Sequence, residues 1–288
     1  MNKYFRLLLM LRIHPTTWVI MAIAIVTSRF YELLMLMTVV LIHELGHACA
    51  ATHYKWRIKS ITILPFGGML DTEEHGNRPL KEDLMVIIFG PIQHLWLFLF
   101  TYIAYTAGLV EYETFITFLY VNSAICLFNL LPVWPLDGGK LMFLLLSIKY
   151  SFLRSHLLIL RYSLLFTCLL SLFYVFFGQL NLNILLILCF IGFSIVMEYR
   201  QRQYVFMRFL LERHYGKSNE VKRLISLTVD ENDKLPMILQ MFQRGCKHPI
   251  IVMKNGKERG MLDENEVLHA YFSEKMTDVK VGDLLYSY

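Results

Sequence analysis

Charge is scarce in this chain. Asp, Glu, Lys and Arg make up 18% of its 288 residues, whereas 56% are hydrophobic and 14% aromatic. A soluble domain of this length does not normally carry that balance, and the mean hydropathy of +0.47 points the same way. Cysteine is limited to Cys49, Cys126, Cys168, Cys189 and Cys246, an odd number with no C-x-x-C pair, which argues against a disulfide framework or a thiolate zinc site. The N-terminus holds Lys3, Arg6 and Arg12 around an apolar run, but no small-residue cleavage site follows, so a cleaved signal peptide is not expected.

What the chain has instead is long apolar runs. They predict an α-helical multipass membrane protein with about six spans, at Pro15 to Val26, Tyr31 to Ala51, Leu84 to Leu109, Phe115 to Leu131, Leu158 to Phe177 and Leu182 to Met197. The formal net charge of +5 is read through its placement and not as a nucleic-acid footprint. Lys55, Arg57, Lys59, Arg78 and Lys81 fall between spans two and three, and Lys140, Lys149 and Arg154 between spans four and five. The opposite loops hold only Arg29. By the positive-inside rule both termini are cytosolic.

Within span two stands His43-Glu44-Leu45-Gly46-His47. On a helix the two histidines share one face a turn apart, so both imidazoles can ligate one ion, and Glu44 is placed as general base. Ionisable groups inside such a run are costly unless paired, ligating or facing water. Span four breaks at Asn129 to Gly139, where two prolines and two glycines end the helix. Asp137 is then presented on a non-helical segment near the membrane. It is the best third ligand, because catalytic zinc commonly takes three protein ligands. In span three, Gln93 and His94 follow Gly90-Pro91 and are expected to line the cavity and to contact substrate. Asn129 and Pro135, at the break, are expected to touch substrate. Alternation from Arg57 to Leu70, closing at Pro65-Phe66-Gly67-Gly68, predicts a membrane-associated β-hairpin. Such an edge could accept an extended peptide as an added strand.

Composition changes after Met197. Residues 199–219 read as a basic helical linker. Residues 220–288 read as a small α/β unit: a strand at Leu224 to Val229, a helix at Leu235 to Arg244, a strand at His248 to Met253, a turn at Asn255-Gly256, a strand at Glu258 to Leu262, a helix at Glu264 to Tyr271 and a closing segment at Val279 to Leu285.

The intramembrane His43-Glu44-Leu45-Gly46-His47, followed by Asn129-Leu130-Leu131-Pro132 and Leu136-Asp137-Gly138-Gly139, resembles the site-2 protease family. The resemblance implies Zn2+ held by His43, His47 and Asp137, with Glu44 as base, in a transmembrane metalloprotease domain over 1–198. The tail is similar to a single cystathionine-beta-synthase (CBS) domain, which implies ATP as a candidate ligand and a homo-oligomer formed through that domain. The combination is similar to a sporulation subgroup of the family. That implies a membrane-associated pro-sigma factor as substrate, inhibitory or regulatory membrane partners, and a bacterial membrane surrounding the forespore, facing the mother-cell cytosol. Two departures stand out. Gln93-His94 occupies a region where the family commonly has Asn, and Asp263-Glu264 puts acids where a nucleotide phosphate would sit. The rival readings are a transporter with a regulatory CBS domain and a non-catalytic scaffold. The chain offers no inverted repeat of broken helices, and structural zinc usually closes with four protein ligands.

Overall fold

The apolar runs fold as helices, and the segments between them decide what those helices surround. The computed structural model describes residues 7, 9–64, 67–73, 76, 78–178, 182–216 and 223–285. The element order is β1 (Leu11–Ile13), α1 (Pro15–Val26), α2 (Phe30–His53), β2 (Ile58–Leu64), β3 (Gly67–Thr72), α3 (Leu80–Thr106), α4 (Tyr112–Asn129), α5 (Asp137–Lys149), α6 (Phe152–Phe177) and α7 (Leu182–Tyr215). The tail continues with β4 (Arg223–Leu224), β5 (Leu227–Asp230), α8 (Leu235–Leu239), β6 (Cys246–Lys247), β7 (Ile250–Lys254), β8 (Lys257–Leu262), α9 (Glu264–Phe272) and α10 (Val281–Leu284).

Among the described residues, four helices are long and apolar enough to cross a membrane: α2, α3, α6 and α7 from Ile184. Six spans are expected from the sequence. Of the other two, α4 has 18 residues and α1 has 12. At ~1.5 Å per residue α1 reaches only ~18 Å, less than the ~30 Å hydrocarbon core. Pro15 stands in the first turn of α1, where its missing N–H costs nothing, and the His14 side chain caps the end by accepting from Thr16 N. The Thr17 hydroxyl donates to Ile63 O at 3.0 Å and ties α1 to β2.

The predicted hairpin is present as β2 and β3, antiparallel, with Ile61 opposite Leu70. Its expected closure at Pro65-Phe66 lies outside the described residues. The sequence does not announce β1, which pairs parallel to β2 with Leu11 opposite Ile61. This sheet sits on α2: Ile61 and Ala48 are fully buried and share a core with Leu7. That contact holds the sheet against the turn of α2 that carries His47.

One expectation changes here. Asp137 is not on an extended segment but is the first residue of α5, after extended Leu136. A carboxylate is favoured in the first turn, at the positive end of the helix dipole, and Lys140 one turn on pairs with it. The stretch read as a linker is helical through Tyr215, continuous with the last apolar run in α7. Its Phe206, Phe209 and Leu210 are buried in one core with Phe152 of α6 and with Val229, Leu235, Phe242, Ile250 and Leu268 of the tail. Phe152 and Phe209 stack with ring centroids 4.2 Å apart. Residues 217–222 lie outside the described set.

In the tail β5 runs parallel to β7, which is antiparallel to β8. Asn255 and Gly256 both have positive φ, 48° and 76°, the backbone that a tight two-residue hairpin turn requires. Asp263 and Glu266 form a reciprocal capping box on α9. The helix expected to reach Arg244 stops at Leu239. Beyond it the chain turns so that Phe242 enters the core and Arg244 reaches back to the membrane part, contacts no local propensity encodes.

Candidate metal centre

Helical period places His43 and His47 on one face of α2, and both are buried, as are Glu44 and Asp137. The start of α5 brings Asp137 to that face. Asp137 Oδ2 lies 3.0 Å from His43 Nε2 and 2.9 Å from His47 Nε2, and the two nitrogens are 3.1 Å apart. His43, Glu44 and His47 also offer ligand atoms within 4.8 Å of one another.

Hydrogen-bond chemistry tests what this triangle can hold. His47 Nδ1 is 2.7 Å from Val86 O. A carbonyl only accepts, so Nδ1 carries a proton, and in the neutral ring the Nε2 lone pair then faces Asp137. A nitrogen facing a carboxylate oxygen at hydrogen-bond distance calls for a positive charge between them, a proton on Nε2 or a metal ion in its place. Tetrahedral ligands about 2.0–2.2 Å from an ion stand about 3.3–3.6 Å from one another, a few tenths of an ångström wider than the separations seen. The residues therefore fit a zinc ion.

Glycine makes the approach possible. A Cβ on Gly90 of α3 would overlap the His47 ring, and one on Gly68 of β3 would overlap the Glu44 carboxylate. The ring thus lies directly on the α3 backbone, and the hairpin lies directly over Glu44. Glu44 makes no side-chain hydrogen bond among the described residues, whereas Asp137 is held from behind: Lys140 Nζ donates to its Oδ1 at 3.0 Å. That leaves Oδ2 as the oxygen turned to the histidines.

None of the other sequence candidates supplies an atom to this triangle. Gln93 Nε2 donates to Phe89 O at 3.0 Å within its own helix, and Asn129 Nδ2 donates to Ile125 O at 3.1 Å. Pro135 is half-buried in the irregular segment before α5. His94 is buried, with Nε2 3.0 Å from His43 Nδ1. Sequence reasoning overlooked Asn122, whose Oδ1 is 2.7 Å from His94 Nδ1. Its signal was available: an Asn in the middle of an apolar helix needs a partner.

The fold and the site define a membrane-embedded metallopeptidase, and comparison with known proteins agrees. Peptidase family M50 matches over residues 31–114 and 104–172. The chain belongs to this family, the site-2 proteases. It is 47% identical over its full length, and over the full length of the relative, to stage IV sporulation protein FB of Bacillus subtilis (strain 168). A zinc metalloprotease of Methanocaldococcus jannaschii is 31% identical over 166 residues, 56% of this chain and 47% of that protein. The solved site-2 protease of Methanocaldococcus jannaschii superposes with a TM-score of 0.55 at 24% identity, over 65% of this chain and 89% of that one, and supports the fold.

Proposed function

We propose that this chain is an intramembrane zinc metalloprotease that cuts a membrane-associated precursor at the cytosolic side of a bacterial membrane. In this reading His43, His47 and Asp137 hold zinc and Glu44 is the general base. The observation that carries it is the triangle of His43 Nε2, His47 Nε2 and Asp137 Oδ2, all within 3.1 Å and buried among apolar helices, with Glu44 alongside.

Zinc held there by His43, His47 and Asp137 would supply Lewis acidity, which makes water easier to deprotonate and a peptide carbonyl easier to attack. Lys140 holds Asp137 by one oxygen, which commits the other to the metal side. Glu44, which accepts no side-chain hydrogen bond among the described residues, takes the proton of the attacking water and returns it to the leaving amine. The hairpin over Glu44 excludes bulk water, and its β3 edge is the surface on which an unwound substrate segment would lie extended. Asn129 and Pro135 are proposed to touch that segment.

The full-length likeness to a sporulation protein supports a pro-sigma factor as the substrate, regulatory membrane partners and a forespore-enclosing membrane, and the placement of the basic loops supports cytosolic termini. The order strand, helix, strand, strand, helix seen in β5, α8, β7, β8 and α9 supports a single CBS domain over 220–288, which would dock substrate or a second copy. Nucleotide is not included, because the Asp263 and Glu266 carboxylates take up backbone N–H groups at the start of α9: Glu266 accepts from Asp263 N at 2.8 Å and Asp263 from Asn265 N at 3.3 Å.

Glu44→Gln tests the reading. It keeps size and polarity but removes the base, so zinc should stay while cleavage of a co-expressed precursor falls by orders of magnitude. Substantial residual cleavage would mean that another group activates the water.

A further inference from the structure

The histidines of α2 face a matching pair on α3. His47 lies on Gly90, and one turn further along each helix His43 meets His94. His94 is buried and continues to Asn122 of α4, also buried. Three side chains from three helices therefore form one line behind the metal site.

The direction of that line follows from its far end. Asn122 Nδ2 donates to the backbone carbonyl of His94 at 3.0 Å. A carbonyl cannot donate, so this contact decides which end of the amide is nitrogen, and Oδ1 is left facing His94 Nδ1 at 2.7 Å. An amide oxygen only accepts, so His94 carries its proton on Nδ1 and presents a lone pair at Nε2. That lone pair is 3.0 Å from His43 Nδ1, which must then be the protonated nitrogen of His43. The last atom in the line, His43 Nε2, is left as a lone pair pointing at Asp137 and His47.

We infer that Asn122 and His94 are positioning residues that lock His43 in its metal-binding tautomer and orientation. Val86 O does for His47 with one backbone atom what this line does for His43 with two side chains. Partners of this kind on ligating histidines typically contribute about 10–100-fold in metal affinity. The role differs from substrate contact, which the sequence suggests for His94. It also accounts for a polar residue in the middle of α4.

The inference rests on the zinc-protease reading, and its test separates the two. Full-length protein in detergent is assayed for zinc affinity by chelator competition and for the absorption spectrum of its cobalt-substituted form. Wild type should bind one zinc and His43→Ala should lose it; if wild type binds none, the metal reading itself falls. His94→Leu and Asn122→Leu should each lower zinc affinity by about 10–100-fold and alter the cobalt spectrum. His94→Gln, whose side-chain oxygen can still accept from His43 Nδ1, should bind within a few-fold of wild type, which also shows that the fold tolerates change there. At saturating zinc His94→Leu should recover most of its activity with KM unchanged. Zinc affinity undiminished in His94→Leu, or a raised KM at normal affinity, overturns the inference. So does His94→Gln losing zinc as fully as His94→Leu.

Discussion

Arg244 of the tail is ion-paired with Asp83 in the first turn of α3. The same guanidinium donates through Nε to Gly76 O at 2.9 Å, so one buried side chain ties the middle of the connector between β3 and α3 to the first turn of α3. Because β3 lies over Glu44, the tail is mechanically linked to the cover of the active site.

Arg244→Ala should therefore loosen that connector. Truncating one member of a buried ion pair costs on the order of 3 kcal/mol. Hydrogen exchange should rise in residues 76–83 and β3 while α2 stays protected. Unchanged exchange there would show that the tail does not restrain the hairpin.

Gly90→Ala adds one methyl group where the His47 ring lies. Backbone on one side and a ligand on the other leave little room to relax, so the ring must move and the triangle opens. Zinc content should fall well below one per chain with the protein still inserted in the membrane. Full zinc occupancy would show that α2 and α3 can separate without cost.

Removing the tail, residues 220–288, should abolish or severely weaken cleavage of the native precursor while zinc is retained. The cut exposes Phe152, Phe206 and Phe209, which the tail buries, so accumulation of the truncated core must be measured alongside. Near-normal processing would make the tail a passive appendage.

The tail should also lose stability in mild acid. His248 is fully buried; its Nδ1 donates to Ile225 O and its Nε2 accepts from Gln243 N, so the folded ring is neutral. Burial, and then the nearby Arg213 cation, push its pKa below the ordinary 6.5; the bond to Ile225 O and the Glu264 carboxylate oppose this. Below pH 6.5 the unfolded chain takes up a proton that the folded ring refuses. Stability is thus fully present above 6.5 and falls as pH drops toward the folded pKa. Amide protection in β7 should decline from pH 7 to 5.5, and a flat profile would contradict the assignment.

The sequence by itself determined the features that depend on short-range period and composition. His43 and His47 share a face because a helix turns every 3.6 residues. The apolar runs require a membrane, and Asn255-Gly256 specifies its turn through backbone sterics alone. Asp137 could be proposed as a ligand because so few other acids lie near the membrane part. The tertiary structure decided everything that depends on which helices become neighbours. Asp137 could be read as a ligand but not as the start of a helix, since that depends on Lys140 and on the packing of the preceding break. Gly90 had a local meaning as a helix loosener, but its use, clearing the His47 ring, exists only once α3 lies on α2. His94 and Asn122 are 28 residues apart in the chain, and no local pattern relates them. They come together because a buried amide and a buried imidazole must find partners, and the packing of α2, α3 and α4 offers each the other.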